Sequence, residues 1–113
     1  MRAAAAAAMV LVACGGGSDP TCPNDLPSSC VQPAPSYKTD VQPVMSARCL
    51  SCHAPGGQEA ALPFTTYSQV FANRAAILDQ TYACRMPPAG SPPPTAPERA
   101  LLLHWLVCGA PNN

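Results

Sequence analysis

The chain has 113 residues, 48% of them hydrophobic, with six basic and six acidic side chains and no formal net charge at neutral pH. A chain of this length supports one domain, and 15 prolines with 7 glycines leave little room for long uninterrupted elements. The charge balance speaks against a nucleic-acid partner and against strongly charged substrates.

The chain opens with Met1 and Arg2, followed by an apolar run from Ala3 to Val12 that is too short to span a bilayer. This is the pattern of an export signal. It ends Leu11-Val12-Ala13-Cys14, which resembles the lipobox of bacterial lipoproteins, where cleavage precedes the cysteine and acyl chains are attached to it. The resemblance implies a signal peptide over 1–13, lipidation of Cys14, and anchoring in the bacterial cell envelope, on the periplasmic side or at the outer membrane. An ordinary signal peptide with a coincidental Cys14 is the alternative. Residues 14–36 are rich in Gly, Ser, Pro, Asn and Asp and poor in large apolar side chains, so they are expected to form a flexible tether. Such a coil would hold the following domain, 37–113, on the order of 25 Å from the membrane.

Three helical stretches are predicted in that domain. The first starts near Asp40, with Pro43 in its opening turn and Val41, Val44 and Met45 on one face. The second begins at Thr66, with Gln69 in the capping-box position, and ends before Cys84. The third opens with a Thr95/Glu98 capping box, presents Leu101, Leu102, Trp105 and Leu106 on one face, and stops at Gly109. The stretch from Pro87 to Pro97 is a loop, stiffened by Pro92, Pro93 and Pro94. The expected class is therefore all-α.

The chemistry-bearing motif is Cys49-Leu50-Ser51-Cys52-His53. Two thiols three positions apart sit about one helical turn from each other, a separation suited to thioether bonds with the two vinyl groups of a haem. The histidine that follows can then ligate the iron. A redox dithiol would need a thioredoxin-like βαβ setting, and a zinc site would need two further ligands, whereas Cys84 and Cys108 are single and distant.

A sixth ligand is available in Met86-Pro87-Pro88, where the prolines prevent helix and a thioether can turn inward. Met45 and His104 are the rivals. The order CxxCH, helix, Met-Pro-Pro and a final helix with Trp105 resembles the small class I cytochrome c domain of bacterial lipoproteins, over residues 37–111. That resemblance implies about three helices around one covalent haem c, with Cys49 and Cys52 carrying it, His53 proximal and Met86 distal. It also implies that the first and last helices cross, bringing Val41, Val44 and Met45 against Leu101, Leu102 and Trp105. One residue more than in the family stands between Trp105 and Gly109. The partner that orients His53 is not identifiable, beyond a role for the Pro63 segment.

With Cys14 assigned to lipid and Cys49 and Cys52 to haem, Cys22 and Cys30 are expected to close a small disulfide loop in the tether. Cys84 and Cys108 are then joined, a bond contributing roughly 3 kcal/mol in the chain-entropy model. Other pairings among these four remain open.

His/Met ligation saturates the iron, which implies an electron carrier rather than an enzyme, and no catalytic set gathers around the motif. Arg48 and Arg85 flank the haem-binding segments, either pairing with haem propionates or standing as solvated charges. The expected partners are redox proteins, docking with weak salt dependence, and the chain is expected to be monomeric. Two other classes stay open: a haem-based sensor or peroxidase-like subunit in which Met86 leaves the iron, and a haem-free disulfide-rich binding module.

Overall fold

Regular structure begins at Ser36, whose hydroxyl accepts a hydrogen bond from the Thr39 amide at 3.2 Å while the Asp40 carboxylate accepts from Ser36 N at 2.8 Å. In this computed structural model, which describes residues 22–113, the expected first helix therefore starts a turn early. Asp40 caps it from inside, reaching back to Ser36 rather than opening the helix itself. One π-helical turn, Tyr37–Val41, leads into α1, Gln42–Arg48, with Pro43 in the opening turn.

The second expected helix is divided. Thr66 and Gln69 form the anticipated capping box, with Gln69 N donating to Thr66 Oγ1 at 3.3 Å and Thr66 N to Gln69 Oε1 at 3.1 Å, at the start of α2, Tyr67–Ala72. Asn73 then leaves helical geometry (φ −106°, ψ 11°), its side-chain amide donating to Gln69 O at 2.8 Å, before α3 resumes over Arg74–Tyr82. An asparagine that bonds the backbone with its own side chain gives the chain an alternative to continuing the helix.

The last helix, α4, spans Ala96–Val107, with Thr95 Oγ1 accepting from Glu98 N at 3.3 Å. Both α3 and α4 end in the same six-residue stop. In α4, Gly109 (φ 87°) donates to Leu106 O and Ala110 to Trp105 O. In α3, Cys84 takes the left-handed position (φ 58°), donating to Thr81 O, and Arg85 N donates to Gln80 O at 2.9 Å. A cysteine there costs about 1 kcal/mol relative to glycine. Among the described residues there is no strand, so the architecture is all-α.

Val41 and Met45 share the core with Val70, Leu102, Trp105 and Leu106. Contact between the first and last segments is made chiefly by the π-helical turn against α4. Val44 is buried but lines a cavity, and Leu101 is only partly buried. Trp105 is fully buried and its indole N–H donates to Pro111 O at 3.0 Å. Tyr37 lies against it, with ring centroids 5.6 Å apart.

Residues 22–36 do not form the free tether expected of them. The disulfides join Cys22 to Cys84 and Cys30 to Cys108, in place of the expected Cys22–Cys30 and Cys84–Cys108 pairs. Between these bonds the segment runs as a strap along α4. Asp25 makes a two-pronged ion pair with Arg99, both contacts at 2.9 Å, and Val31 O accepts from the His104 ring at 2.7 Å. Asn24 also accepts from the Tyr82 hydroxyl. Cross-links and polar contacts hold a segment whose composition offers little apolar surface to bury. α4 is buried on more than the predicted face: Leu103 is fully buried, and Arg99, held by Asp25 of the strap, is only 7% exposed. The expected signal peptide and the lipidation of Cys14 lie outside the described residues.

The Arg99 guanidinium, by hydrogen bonding first and by its charge, holds the Asp25 carboxyl below the usual aspartate range. Because this pKa is lowered on folding, the stability it contributes is present above the ordinary value of about 4 and is lost as pH falls through the folded pKa. Asp25→Asn is expected to remove this acid-dependent component, flattening the acid limb of an unfolding midpoint measured from pH 6 downwards.

Candidate functional site

The motif follows directly from the end of α1. Cys49 N donates to Met45 O at 2.9 Å, Leu50 N to the same carbonyl, and Cys52 N and His53 N both return to Cys49 O. This tight turn brings both thiols and the imidazole to one edge of α1. Burial pushes the Cys49 thiol up to about 11, so in the free chain it is protonated at neutral pH. Cys49 and Cys52 are both free, whereas the other four described cysteines are paired.

The loop after the motif folds back on it. Glu59 N donates to Cys52 O at 2.9 Å and Phe64 N to His53 O at 2.8 Å. Gly57 passes so close that a Cβ there would stand 2.3 Å from Cys52 O. Gly57→Ala is therefore expected to displace the motif backbone and to cost about 1–3 kcal/mol in a urea titration. An unchanged midpoint would show that the loop yields freely.

His53 Nδ1 lies 2.8 Å from Leu62 O, and the ring stacks on Phe64 with centroids 4.3 Å apart. A carbonyl can only accept, so Nδ1 donates, and in the neutral ring this leaves the lone pair on Nε2, the tautomer a metal-ligating histidine needs. The orienting partner sits beside Pro63, in the segment expected to supply it. Being a backbone carbonyl, it leaves no side-chain signature in the sequence.

Met86 emerges from the stop of α3, its amide donating to Gln80 O at 3.1 Å. A cavity of about 440 Å³ brings Met86 together with Cys49, Cys52 and His53. Val44, Phe64, Ile77, Pro87 and Leu102 contribute to its mainly apolar wall. Its size lies within the range of cofactor pockets, about 300–1,000 Å³.

Of the rival ligands, Met45 borders the same cavity but is 1% exposed and belongs to the core. His104 stands on the strap side, its Nε2 engaged by Val31 O. It lies close to Cys30 and Cys108, yet those sulfurs are bonded to each other and so are not thiolate ligands.

Arg48 lines the cavity and forms a two-pronged pair with Glu98, at 2.7 and 3.0 Å, tying α1 to α4 and holding the Glu98 carboxyl below its usual range. Arg85 is instead a surface charge, paired with Asp79 at 2.6 Å. No protein-family model, curated protein or solved structure matches the chain.

Proposed function

We propose that the chain is an electron-transfer protein of the class I cytochrome c type, holding one covalent haem c between His53 and Met86. The observation that carries this reading is a mainly apolar cavity bordered at once by Cys49, Cys52, His53 and Met86. The donor set fits the group: two unpaired thiols one turn apart, an imidazole whose Nδ1 is already satisfied, and a thioether. When bound, haem would supply a one-electron ferric/ferrous couple.

The chain's own residues do the rest. Cys49 and Cys52 would hold the ring covalently, and Leu62 O and Phe64 fix the His53 imidazole. Apolar side chains of Val44, Ile77 and Leu102 would lie against the ring, and such surroundings together with thioether ligation favour a higher reduction potential. Saturated ligation leaves no open position for a substrate, so a carrier is favoured over an enzyme. Redox proteins are the partners this implies, with Cys14 as the lipid anchor in the bacterial cell envelope.

The test is expression in a host that attaches c-type haem, followed by oxidised and reduced spectra and a pyridine haemochrome. A c-type spectrum with the weak long-wavelength band of thioether-ligated ferric haem is expected, and Met86→Ala should abolish that band while leaving the haem attached. Persistence of the band would refute the Met86 assignment. Carbon monoxide binding by the reduced parent at neutral pH would favour a sensor. Absence of any haem signal would leave a disulfide-rich binding module.

A further inference from the structure

Between Cys84 and Thr95 the chain carries no regular element, yet Met86 has to stay at the cavity wall. It also borders a second cavity, of about 440 Å³, whose other walls include Pro23, Asp25, Cys84 and Arg99. The methionine thus borders both spaces and is itself 41% exposed, so packing alone does not hold it at the first.

Two features converge on this point. Arg99 is 7% exposed on α4, and its planar fork bonds two other stretches of chain at once. Nη1 donates to Thr81 O at 2.6 Å, Nη2 to Tyr82 O at 3.1 Å, and Nε and Nη2 to the Asp25 carboxylate at 2.9 Å each. The first two acceptors are the closing carbonyls of α3, and the carboxylate belongs to the strap. A buried guanidinium is costly without a counter-ion, so the strap that brings Asp25 is what allows Arg99 to grip the end of α3. The second feature is the Cys22–Cys84 bond, which fixes the same strap to the residue two before Met86.

We infer that Arg99 and the Cys22–Cys84 bond form a clamp that positions the Met86 segment at the cavity, with Arg99 a positioning residue for methionine ligation. The ligation itself rests on the function proposed above; the clamp on the segment does not. The clamp opposes movement of Met86 into the second cavity. The Cys30–Cys108 bond, which closes a loop of similar length at the far end of α4, has no part in it.

The test compares Cys22→Ser/Cys84→Ser and Arg99→Lys with Cys30→Ser/Cys108→Ser, all in the full chain. Imidazole is the probe for the ferric haem, because its apparent affinity scales with the fraction of molecules in which the methionine has left. The first two variants are expected to bind imidazole roughly tenfold more tightly than the parent and to weaken the thioether band, with Cys30→Ser/Cys108→Ser within about twofold of the parent. Amide hydrogen exchange at Arg85 and Met86, whose N–H groups both donate to Gln80 O, is expected to accelerate in the first two variants and not in the third. Equal effects from both disulfide variants would reduce the clamp to general stability and overturn it, as would unchanged exchange at Arg85 and Met86. A chain that takes up no haem would overturn the proposed function alone, since the exchange rates still decide the clamp.

Discussion

Replacing Cys49 and Cys52 together by alanine is expected to abolish covalent pigment, from about one haem per chain to none, in a host that attaches c-type haem. The two thiols are the only described cysteines not consumed by disulfides, so among the described residues no other thiol is in place to substitute for them. Either single variant should keep one thioether and show a red-shifted reduced spectrum, since one vinyl group stays conjugated with the ring. His53 remains in the double variant, and any haem it holds should be removed by acid-acetone extraction. The measurement is a haem-stained denaturing gel with a pyridine haemochrome on the same material. Pigment that survives denaturation in the double variant would refute attachment at these positions.

Loss of the disulfides is expected to have the largest effect on stability. The Cys22–Cys84 and Cys30–Cys108 bonds span 62 and 78 positions, longer than either pairing expected from the sequence. In the chain-entropy model a loop of either length stabilises the fold by about 4 kcal/mol. Because the loops overlap, removing both should cost less than the sum, yet still a large part of the roughly 5–15 kcal/mol that holds a domain together. Replacing either pair by serine should lower the urea midpoint by roughly 3–4 M, taking a slope of about 1 kcal/mol/M for so small a chain. The quadruple variant should lack a cooperative transition. A midpoint unmoved by removing either bond would show that the strap contributes nothing to the fold, and peptide mapping of the unreduced chain checks the pairing independently.

The elements most legible in the sequence are those whose signals are local. Thr66 with Gln69 marks the start of α2, Thr95 the start of α4 and Gly109 its end, because capping is decided within four or five residues by groups that must find partners nearby. The apolar spacing of Leu102, Trp105 and Leu106 marks the buried face of α4 for the same reason. Asn73 shows the limit: its side chain competes with the helix only through a bond to Gln69 O, so one apolar period reads as one helix where the chain makes two.

The candidate site divides along the same line. The sequence by itself determined that two thiols and an imidazole share one turn, and that a methionine held out of helix by prolines follows downstream. Only the tertiary structure decided that Met86 borders the same cavity as His53, and that Leu62 O fixes the imidazole tautomer. It also decided that Cys22 and Cys30 reach across to Cys84 and Cys108 and turn a polar segment into a strap. The physical reason is that loop closure costs little more for a long loop than for a short one, so neighbouring cysteines have only a slight advantage over distant ones. The choice falls to geometry, to where α4 and the end of α3 place their sulfurs, and that geometry exists only once the helices have packed.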